Sequence, residues 1–185
     1  MPNLNLEKFK IKNGSEVVIR SYDSNDVDLS RSFARQVALE STHTLKYEGM
    51  PDTPKEKLIA VWDENLNHPV NLSLGAFFNN EIIGNLRFFQ RSPTHPWIKH
   101  IGAFAMAISK NYWGQGIGSK ILQIMEAHAR SCGISRIEAE VRTANEPGIG
   151  LYEKNGFKIE GRREKAAFID SVLVDEFFIS KILTN

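Results

Sequence analysis

Three glycines, Gly114, Gly116 and Gly118, alternate with other residues between an apolar run and a helical pattern. The run at residues 104–108 predicts a buried strand, and residues 117–129 carry an apolar face at helical spacing. Glycine lets the backbone adopt positive φ and approach a ligand closely. The first N–H groups of a helix have no partner within that helix and lie at the positive end of its dipole. A strand, a glycine-rich turn and a helix in this order therefore predict a phosphate-binding site.

The spacing of these glycines excludes two common nucleotide motifs. A Walker loop requires GxxxxGK[ST], but here Ser119 precedes Lys120 and the leading glycine is missing. A dinucleotide fingerprint requires GxGxxG, and this turn is one residue short of it. The segment WGQGIG at residues 113–118 instead follows the pattern [QR]xxGx[GA], with tryptophan where glutamine or arginine is usual. In this pattern the chain resembles the GNAT superfamily of N-acetyltransferases.

The resemblance implies that acetyl-CoA is the cosubstrate and that this turn holds its pyrophosphate. Tryptophan at the first position is familiar in the branch that resembles ribosomal-protein and polyamine acetyltransferases. It removes a cationic or amide side chain but leaves the backbone cradle in place. The cofactor-binding residues implied for this turn are Trp113, Gly114, Gln115, Gly116, Ile117, Gly118 and Ser119.

A second segment, NEPGIGLYEKNGF at residues 145–157, resembles the family's NxxAxxLYEKxGF segment, with Gly148 in place of the usual alanine. The resemblance implies that Asn145 bonds the pantetheine arm and that Tyr152 lies near the acetyl-CoA sulfur. We expect Tyr152 to protonate the departing thiolate. Taken alone, the segment is equally an amphipathic turn with Leu151, Tyr152 and Phe157 as core residues. Two motifs in the right order and spacing favour the family interpretation.

The strand at residues 103–108 also has two interpretations, which hold together. It is a core strand by its apolar character. The resemblance adds that it splays from the next strand, at residues 137–141. Backbone groups at Met106 and Ile108 then pair with the pantetheine amides as an added strand does.

The proton acceptor for the amine is not fixed by the sequence. An alkylammonium has a pKa of about 10.4, so the nucleophile must lose a proton to a side chain or a water chain. Several relatives keep a glutamate in the strand equivalent to residues 101–108, and this sequence has none there. The candidates are Glu40, His43 and His100, with Glu40 first because the resembling fold places its helix beside the acceptor groove. A solvated helix position explains Glu40 equally well.

Composition bounds the function classes. The chain has 185 residues, 42% hydrophobic, with a formal net charge of +1 and one cysteine, Cys132. We expect one acetyltransferase domain over residues 1–185, in the cytoplasm, without nucleic-acid or membrane partners. The spacing of Cys and His predicts no metal site. A homodimer is left open.

The order of predicted elements is β–α–α–β–β–β–α–β–α–β–β, which indicates an α/β (α+β) fold. Helices are predicted at residues 27–45, at 54–65 after a capping box at Thr53, and from 117 onward, with a short helix within 145–154. Strands are predicted at 16–21, 70–78, 81–91, 100–108, 136–142, 157–160 and 167–182. A basic cluster at 162–165 is predicted in a turn. The resemblance implies a mixed, mostly antiparallel sheet with helices on both faces.

These observations predict an enzyme that moves an acetyl group from acetyl-CoA to a primary amine by direct attack in a ternary complex. The alternative is a non-catalytic module that binds acetyl-CoA as a sensor or interaction domain. The acceptor is a small-molecule or peptide amine of unspecified identity. Glu40, Glu48, Asp52 and Trp97 lie in segments expected to shape its site and suit a cationic acceptor.

Overall fold

An eight-stranded sheet forms the centre of the fold, in a computed structural model that describes residues 7–183. The strands are β1 Glu7–Lys10, β2 Glu16–Ser21, β3 Leu72–Phe78, β4 Glu81–Gln90, β5 Ile101–Ile108, β6 Arg136–Arg142, β7 Lys158–Ile169 and β8 Val172–Ile182. The helices are α1 Val27–Glu40, α2 Lys55–Asn67, α3 Ile117–Ser131 and α4 Glu146–Lys154. Single 3₁₀ turns occupy Ser24–Asp26 and Lys110–Tyr112.

The strands lie in the order β1-β2-β3-β4-β5-β6-β8-β7. Neighbouring strands are antiparallel except β5 and β6, which are parallel because α3 carries the chain back between them. The predicted mixed, mostly antiparallel sheet is therefore confirmed. The Asn79-Asn80 hairpin turn is also confirmed, with φ of 49° and 61° at its two central residues.

The parallel pair parts partway along its length. Backbone pairing between β5 and β6 runs from Ile101↔Arg136 to Ala103↔Glu138 and then stops. β5 continues to Ile108 against β4, and β6 continues to Arg142 against β8. A wedge therefore opens between the two central strands, and it agrees with the splay that the family resemblance implied.

Hydrophobic clusters lie on both faces of the sheet. The larger cluster joins α3 and α4 to one face, and it includes Phe104, Met125 and Ile137. The smaller cluster joins α1 and α2 to the opposite face through Phe33 and Trp62. The two faces are called the α3 face and the α1 face below. Because side chains alternate along a strand, each strand presents one residue set to each face.

Several predicted boundaries at the N-terminal half are wrong. α1 ends at Glu40 rather than at residue 45, because Ser41 takes an extended conformation with φ −160° and ψ 137°. α2 begins after Pro54 without a side-chain cap, so the predicted capping box does not form. The Thr53 carbonyl instead accepts two hydrogen bonds from the Arg31 guanidinium. β1, which the sequence did not predict, pairs with β2.

The C-terminal strands also differ from the prediction. The basic cluster at residues 162–165 lies within β7, and the turn falls at Asp170 and Ser171, which have positive φ. Arg162 pairs with Asp175 and Arg163 with Glu176 across the β7–β8 ladder. Cross-strand ion pairs of this kind favour a strand over a solvated loop.

Candidate active site

The turn before α3 has the geometry of an anion cradle. Gly114 and Gly116 have φ of +72° and +93°, and Gly116 caps the helix. The first helical hydrogen bond runs from the Lys120 N–H to the Gly116 carbonyl, so the N–H groups at residues 117–119 have no acceptor within the helix. Nothing lies within 4 Å of a Cβ built at Gly114. A phosphate can therefore approach the backbone closely at the positive end of the α3 dipole.

The remaining residues of the turn have packing tasks. A Cβ at Gly118 would lie 2.7 Å from Leu151 Cδ2, so this glycine lets α4 pack against α3. Ile117 is buried in the core, and the Ser119 hydroxyl accepts a hydrogen bond from Asn155. Gln115 keeps a buried side-chain oxygen without a partner among residues 7–183.

Trp113 occupies the position of the expected glutamine or arginine. Its indole N–H donates to the Ile108 carbonyl at 2.7 Å. The bond ties the turn to the last residue of β5, at the open end of the wedge. Trp113 therefore holds the cradle in place relative to β5 through a neutral donor rather than through a cation.

The wedge exposes one backbone edge of β5. The Ser109 N–H donates to the Ile83 carbonyl, and the Ala107 N–H donates to Asn85 Oδ1, so these groups face β4. Backbone groups alternate in direction along a strand. The N–H groups of Met106 and Ile108 consequently face the wedge, where β6 has moved away. This edge can pair with an extended amide chain.

Tyr152 lies beside the wedge on the α3 face. Its ring packs against Phe104 and Phe157, with centroids 5.6 and 5.8 Å away. The side chain is 9% exposed, and burial raises the pKa of its phenol to about 12. The hydroxyl therefore stays protonated throughout the neutral range and is available as a hydrogen-bond donor.

Asn145 caps the N-terminus of α4. Its Oδ1 accepts from the Gly148 N–H at 3.0 Å. A Cβ at Gly148 would lie only 2.5 Å from the Asn145 side-chain nitrogen. The glycine that replaces the family's alanine is therefore what permits this position of the asparagine. Because the cap occupies Asn145 Oδ1, we expect the contact with the pantetheine arm to be made by Asn145 Nδ2.

Glu40 connects α1 to the end of β5. Its Oε2 accepts from the Lys110 N–H at 2.8 Å, and its Oε1 accepts from Gln36 Nε2 at 2.8 Å and from the Ser109 hydroxyl at 3.2 Å. Ser109 itself is 1% exposed. A carboxylate with three donors is held firmly, and its contacts support a positioning role at this junction. Its assignment as the base stays a prediction.

The two histidine candidates lie in different places. His43 follows α1 in a segment whose Thr42 carbonyl accepts a hydrogen bond from Arg142 on β6. Burial and the charge of Arg142 lower its pKa, so its ring is neutral at pH 7. His100 precedes β5 at the paired end, where its carbonyl accepts from the Ser135 and Arg136 N–H groups. The structure therefore brings His43, but not His100, towards the wedge.

A comparison with protein families decides the identity of this fold. Residues 38–157, more than half of the chain, match the model of the acetyltransferase (GNAT) family. The chain belongs to the GNAT acetyltransferase family. The sequence-based predictions of this family and of an N-acetyltransferase are confirmed.

Individual relatives agree with the family. The acetyltransferase is similar to L-amino acid N-acetyltransferase AaaT of Escherichia coli K12, 26% identical over 171 residues that cover 91% of this chain and 99% of the relative. It is similar to a solved GNAT-family acetyltransferase from Streptococcus pneumoniae, with a TM-score of 0.84 and 27% identity over 91% and 99% of the two chains. The protein yncA of Salmonella typhimurium, solved with its cofactor acetyl-CoA, shares the fold at a TM-score of 0.78 and 17% identity, over 91% and 94% of the chains.

β6 of the acetyltransferase carries two acidic residues, Glu138 and Glu140, that were not among the candidates from the sequence. Ile137, Ala139 and Val141 are buried on the α3 face, so Glu138 and Glu140 point to the α1 face. Glu138 is buried and paired with arginines, whereas Glu140 is exposed at the wedge. The alternation of apolar and acidic residues in RIEAEVR, residues 136–142, already indicates that Glu138 and Glu140 lie on the face opposite to Ile137, Ala139 and Val141.

Across residues 7–183, none of the helices combines the length and apolar character that a membrane crossing requires. Over the same residues, no group of three or more His, Cys, Asp and Glu side chains is placed to hold a metal ion.

Proposed function

We propose that this GNAT acetyltransferase transfers the acetyl group of acetyl-CoA directly to a primary amine in a ternary complex. The observation that carries the proposal is the meeting of an anion cradle and an open strand edge at one end of β5. The cradle fits a pyrophosphate because Gly114 and Gly116 leave its backbone N–H groups accessible. The edge at Met106 and Ile108 fits the amide-containing pantetheine arm.

Each residue of the site has a role in this proposal. Acetyl-CoA supplies the thioester that the amine attacks. The backbone from Gly114 to Ser119 binds the pyrophosphate, and Trp113 fixes the turn against Ile108. The Ile108 N–H polarises the carbonyl oxygen on which charge develops. Asn145 Nδ2 contacts the arm.

Tyr152 is the proposed proton donor to the departing sulfur. Its raised pKa of about 12 keeps the hydroxyl protonated, and its packing against Phe104 and Phe157 fixes the ring. A cysteine-like thiol has a pKa of about 8.5. A hydrogen bond from Tyr152 therefore stabilises the departing thiolate. Complete transfer of the proton from so weak an acid is unfavourable in free energy.

The amine proton leaves on the α1 face of the sheet. Glu40 was predicted to accept it, but its carboxylate already accepts three hydrogen bonds. Neutral His43 and exposed Glu140 also face this side, and either can pass the proton on through water.

The wider setting extends the same proposal. We place residues 1–185 in one catalytic domain that acts in the cytoplasm on a small-molecule or peptide amine. The Escherichia coli relative is named for L-amino acids, so amino acids belong among the acceptors to be tested. The homodimer remains an open proposal.

The decisive test is Gly116→Val, compared with Gly133→Val as a control. Both glycines have positive φ, +93° and +75°, so both variants carry similar backbone strain, but Gly133 lies at the far end of α3. We expect calorimetry to detect acetyl-CoA binding in the wild type and in Gly133→Val, and none in a folded Gly116→Val. Equal affinity in both variants refutes the cradle. Acetyl-CoA binding without amine-dependent thiol release favours the non-catalytic module.

A further inference from the structure

One arginine differs from all the others in the chain. There are ten arginines, and all of them lie within residues 7–183. Nine have a carboxylate oxygen within 4.0 Å: Arg20, Arg31, Arg35, Arg91, Arg130, Arg136, Arg142, Arg162 and Arg163. Arg87 forms no such pair within this part of the chain. Its guanidinium carbon lies 5.4 Å from the centroid of the Phe89 ring.

Arg87 lies on the α1 face, close to the wedge. Its neighbours Leu86 and Phe88 are buried on the α3 face, so alternation turns Arg87 to the other side. In the β4–β5 ladder it pairs with Ala105. Ala105 is exposed although it lies in the middle of a central strand. It is two residues beyond Ala103, where pairing with β6 ends.

An opposite charge lies across the wedge from Arg87. Ala103 pairs with Glu138, so Glu140 follows two residues later on β6, level with Ala105. The Glu140 carboxylate is exposed and has one distant cation, Arg163 at 3.9 Å. The backbones of Arg87 and Glu140 are separated by two strand spacings, about 10 Å, or more where the strands part. A small zwitterion fits between two such long side chains.

We propose that Arg87 binds the carboxylate of an α-amino-acid acceptor, whose ammonium group is drawn towards Glu140 at the mouth of the wedge. The inference rests on the proposed function, since it needs acetyl-CoA to enter the wedge from the α3 face. The cradle at α3 lies beyond the end of β5 and on the other face of the sheet from Arg87. Arg87 is therefore not placed to bind the cofactor phosphates. A guanidinium that has no carboxylate neighbour binds an incoming carboxylate in bidentate fashion.

Two of the acidic residues that suggested a cationic acceptor, Asp52 and Glu40, have other partners. Asp52 forms a bidentate pair with Arg35, and Glu40 accepts three hydrogen bonds. Trp97 is 81% exposed in the loop between β4 and β5. Across residues 7–183, Arg87 has no carboxylate oxygen within 4.0 Å, and Glu140 is exposed on the other side of the wedge. This pair of opposite charges suits a zwitterion better than a polyamine.

The test compares α-amino acids with their amides, which keep the amine and lose the carboxylate. Thiol release from acetyl-CoA is measured for the twenty amino acids, for the amide of each substrate found, and for putrescine. The variants are Arg87→Gln, Arg87→Lys and, as a control for loss of one exposed positive charge, Lys57→Gln on α2. The same amino acid is titrated calorimetrically into each protein saturated with coenzyme A, and a thermal melt verifies folding.

We expect the wild type to favour the amino acid over its amide by about 10- to 100-fold in kcat/KM, as for a hydrogen bond to a charged group. Arg87→Gln removes that preference by raising KM for the amino acid, whereas KM for acetyl-CoA stays unchanged. Arg87→Lys keeps part of the preference, and Lys57→Gln keeps all of it.

Two results overturn the inference while the proposed function stands. One is an amino-acid preference that survives in a folded Arg87→Gln. The other is turnover of putrescine or amides in the wild type without turnover of amino acids. Absence of thiol release with every acceptor overturns the proposed function and the inference with it.

Discussion

Replacing Glu40 by glutamine separates two roles for this residue, the positioning of β5 and the acceptance of the amine proton. The substitution keeps the shape of the side chain and one acceptor oxygen. It replaces the other oxygen by an amide that can only donate. If the amide takes the place of Oε2, it faces the Lys110 N–H, which is also a donor. If it takes the place of Oε1, it faces the donors of Gln36 and Ser109.

The expected loss follows from these contacts. A hydrogen bond to a charged group contributes about 1.5–3 kcal/mol, and Gln36 still reaches the Ser109 hydroxyl at 2.8 Å, while Lys110 is exposed to water. We therefore expect Glu40→Gln to lower the free energy of unfolding by about 1–2 kcal/mol. For a chain of this size, Tm then falls by about 2–8 °C.

The assay combines thermal unfolding with the pH dependence of kcat/KM. If Glu40 positions β5, kcat/KM falls less than about tenfold and by the same factor at every pH. If it accepts the amine proton, the loss is about 10²–10⁴ and concentrated on the acidic side of the profile. Glu56→Gln, at an exposed position on α2, is the matched control for loss of one negative charge.

The positioning role is refuted by an unchanged Tm together with a loss of activity that depends on pH. An unchanged Tm with unchanged activity removes both roles from Glu40. The proton acceptor is then sought at His43, at Glu140 or in a water chain.

Two further substitutions test the proton donor, Tyr152, and the partly buried histidine, His43. Tyr152→Phe keeps the ring between Phe104 and Phe157, so we expect normal folding and acetyl-CoA affinity within a few-fold, with kcat lower by about 10²-fold in steady-state turnover; nearly full turnover shows that the tyrosine only packs. For His43, burial and Arg142 lower the pKa from 6.5, so below that pH the unfolded state binds more protons and the folded state loses stability. His43→Gln should therefore lose less Tm than the wild type between pH 7.5 and 5.5, and equal losses contradict this origin.

The sequence predicted the middle of the fold well because its signals there are local. Glycines at 114 and 116, a helix apolar on one face, and the alternation of β6 each specify their own geometry. The extra turn assigned to α1 failed for a tertiary reason. Arg142, a hundred residues away, donates to the Thr42 and Thr44 carbonyls, and the chain leaves the helix at Ser41, which is extended.

The site was predictable where it depends on backbone and obscure where it depends on side-chain partners. That Gly118 packs against Leu151 and that Trp113 donates to Ile108 requires knowledge of which elements meet. That Arg87 lacks a carboxylate neighbour within residues 7–183 could not be predicted from the sequence, because this requires knowledge of the partners of the other nine arginines. Charge patterns in a sequence do not reveal which charges are already paired.

The wedge has a consequence for the cooperativity of the molecule. Three residue pairs, at Ile101–Ala103 against Arg136–Glu138, are all that join strands β1–β5 to strands β6–β8 within the sheet. The two halves are otherwise linked by the helices and loops that pack across the gap. In the proposed complex the extended pantetheine chain lies in the gap between the two halves and pairs with the open edge of β5. Because the cosubstrate would contact both halves, its binding should stabilise them together against local opening at the wedge.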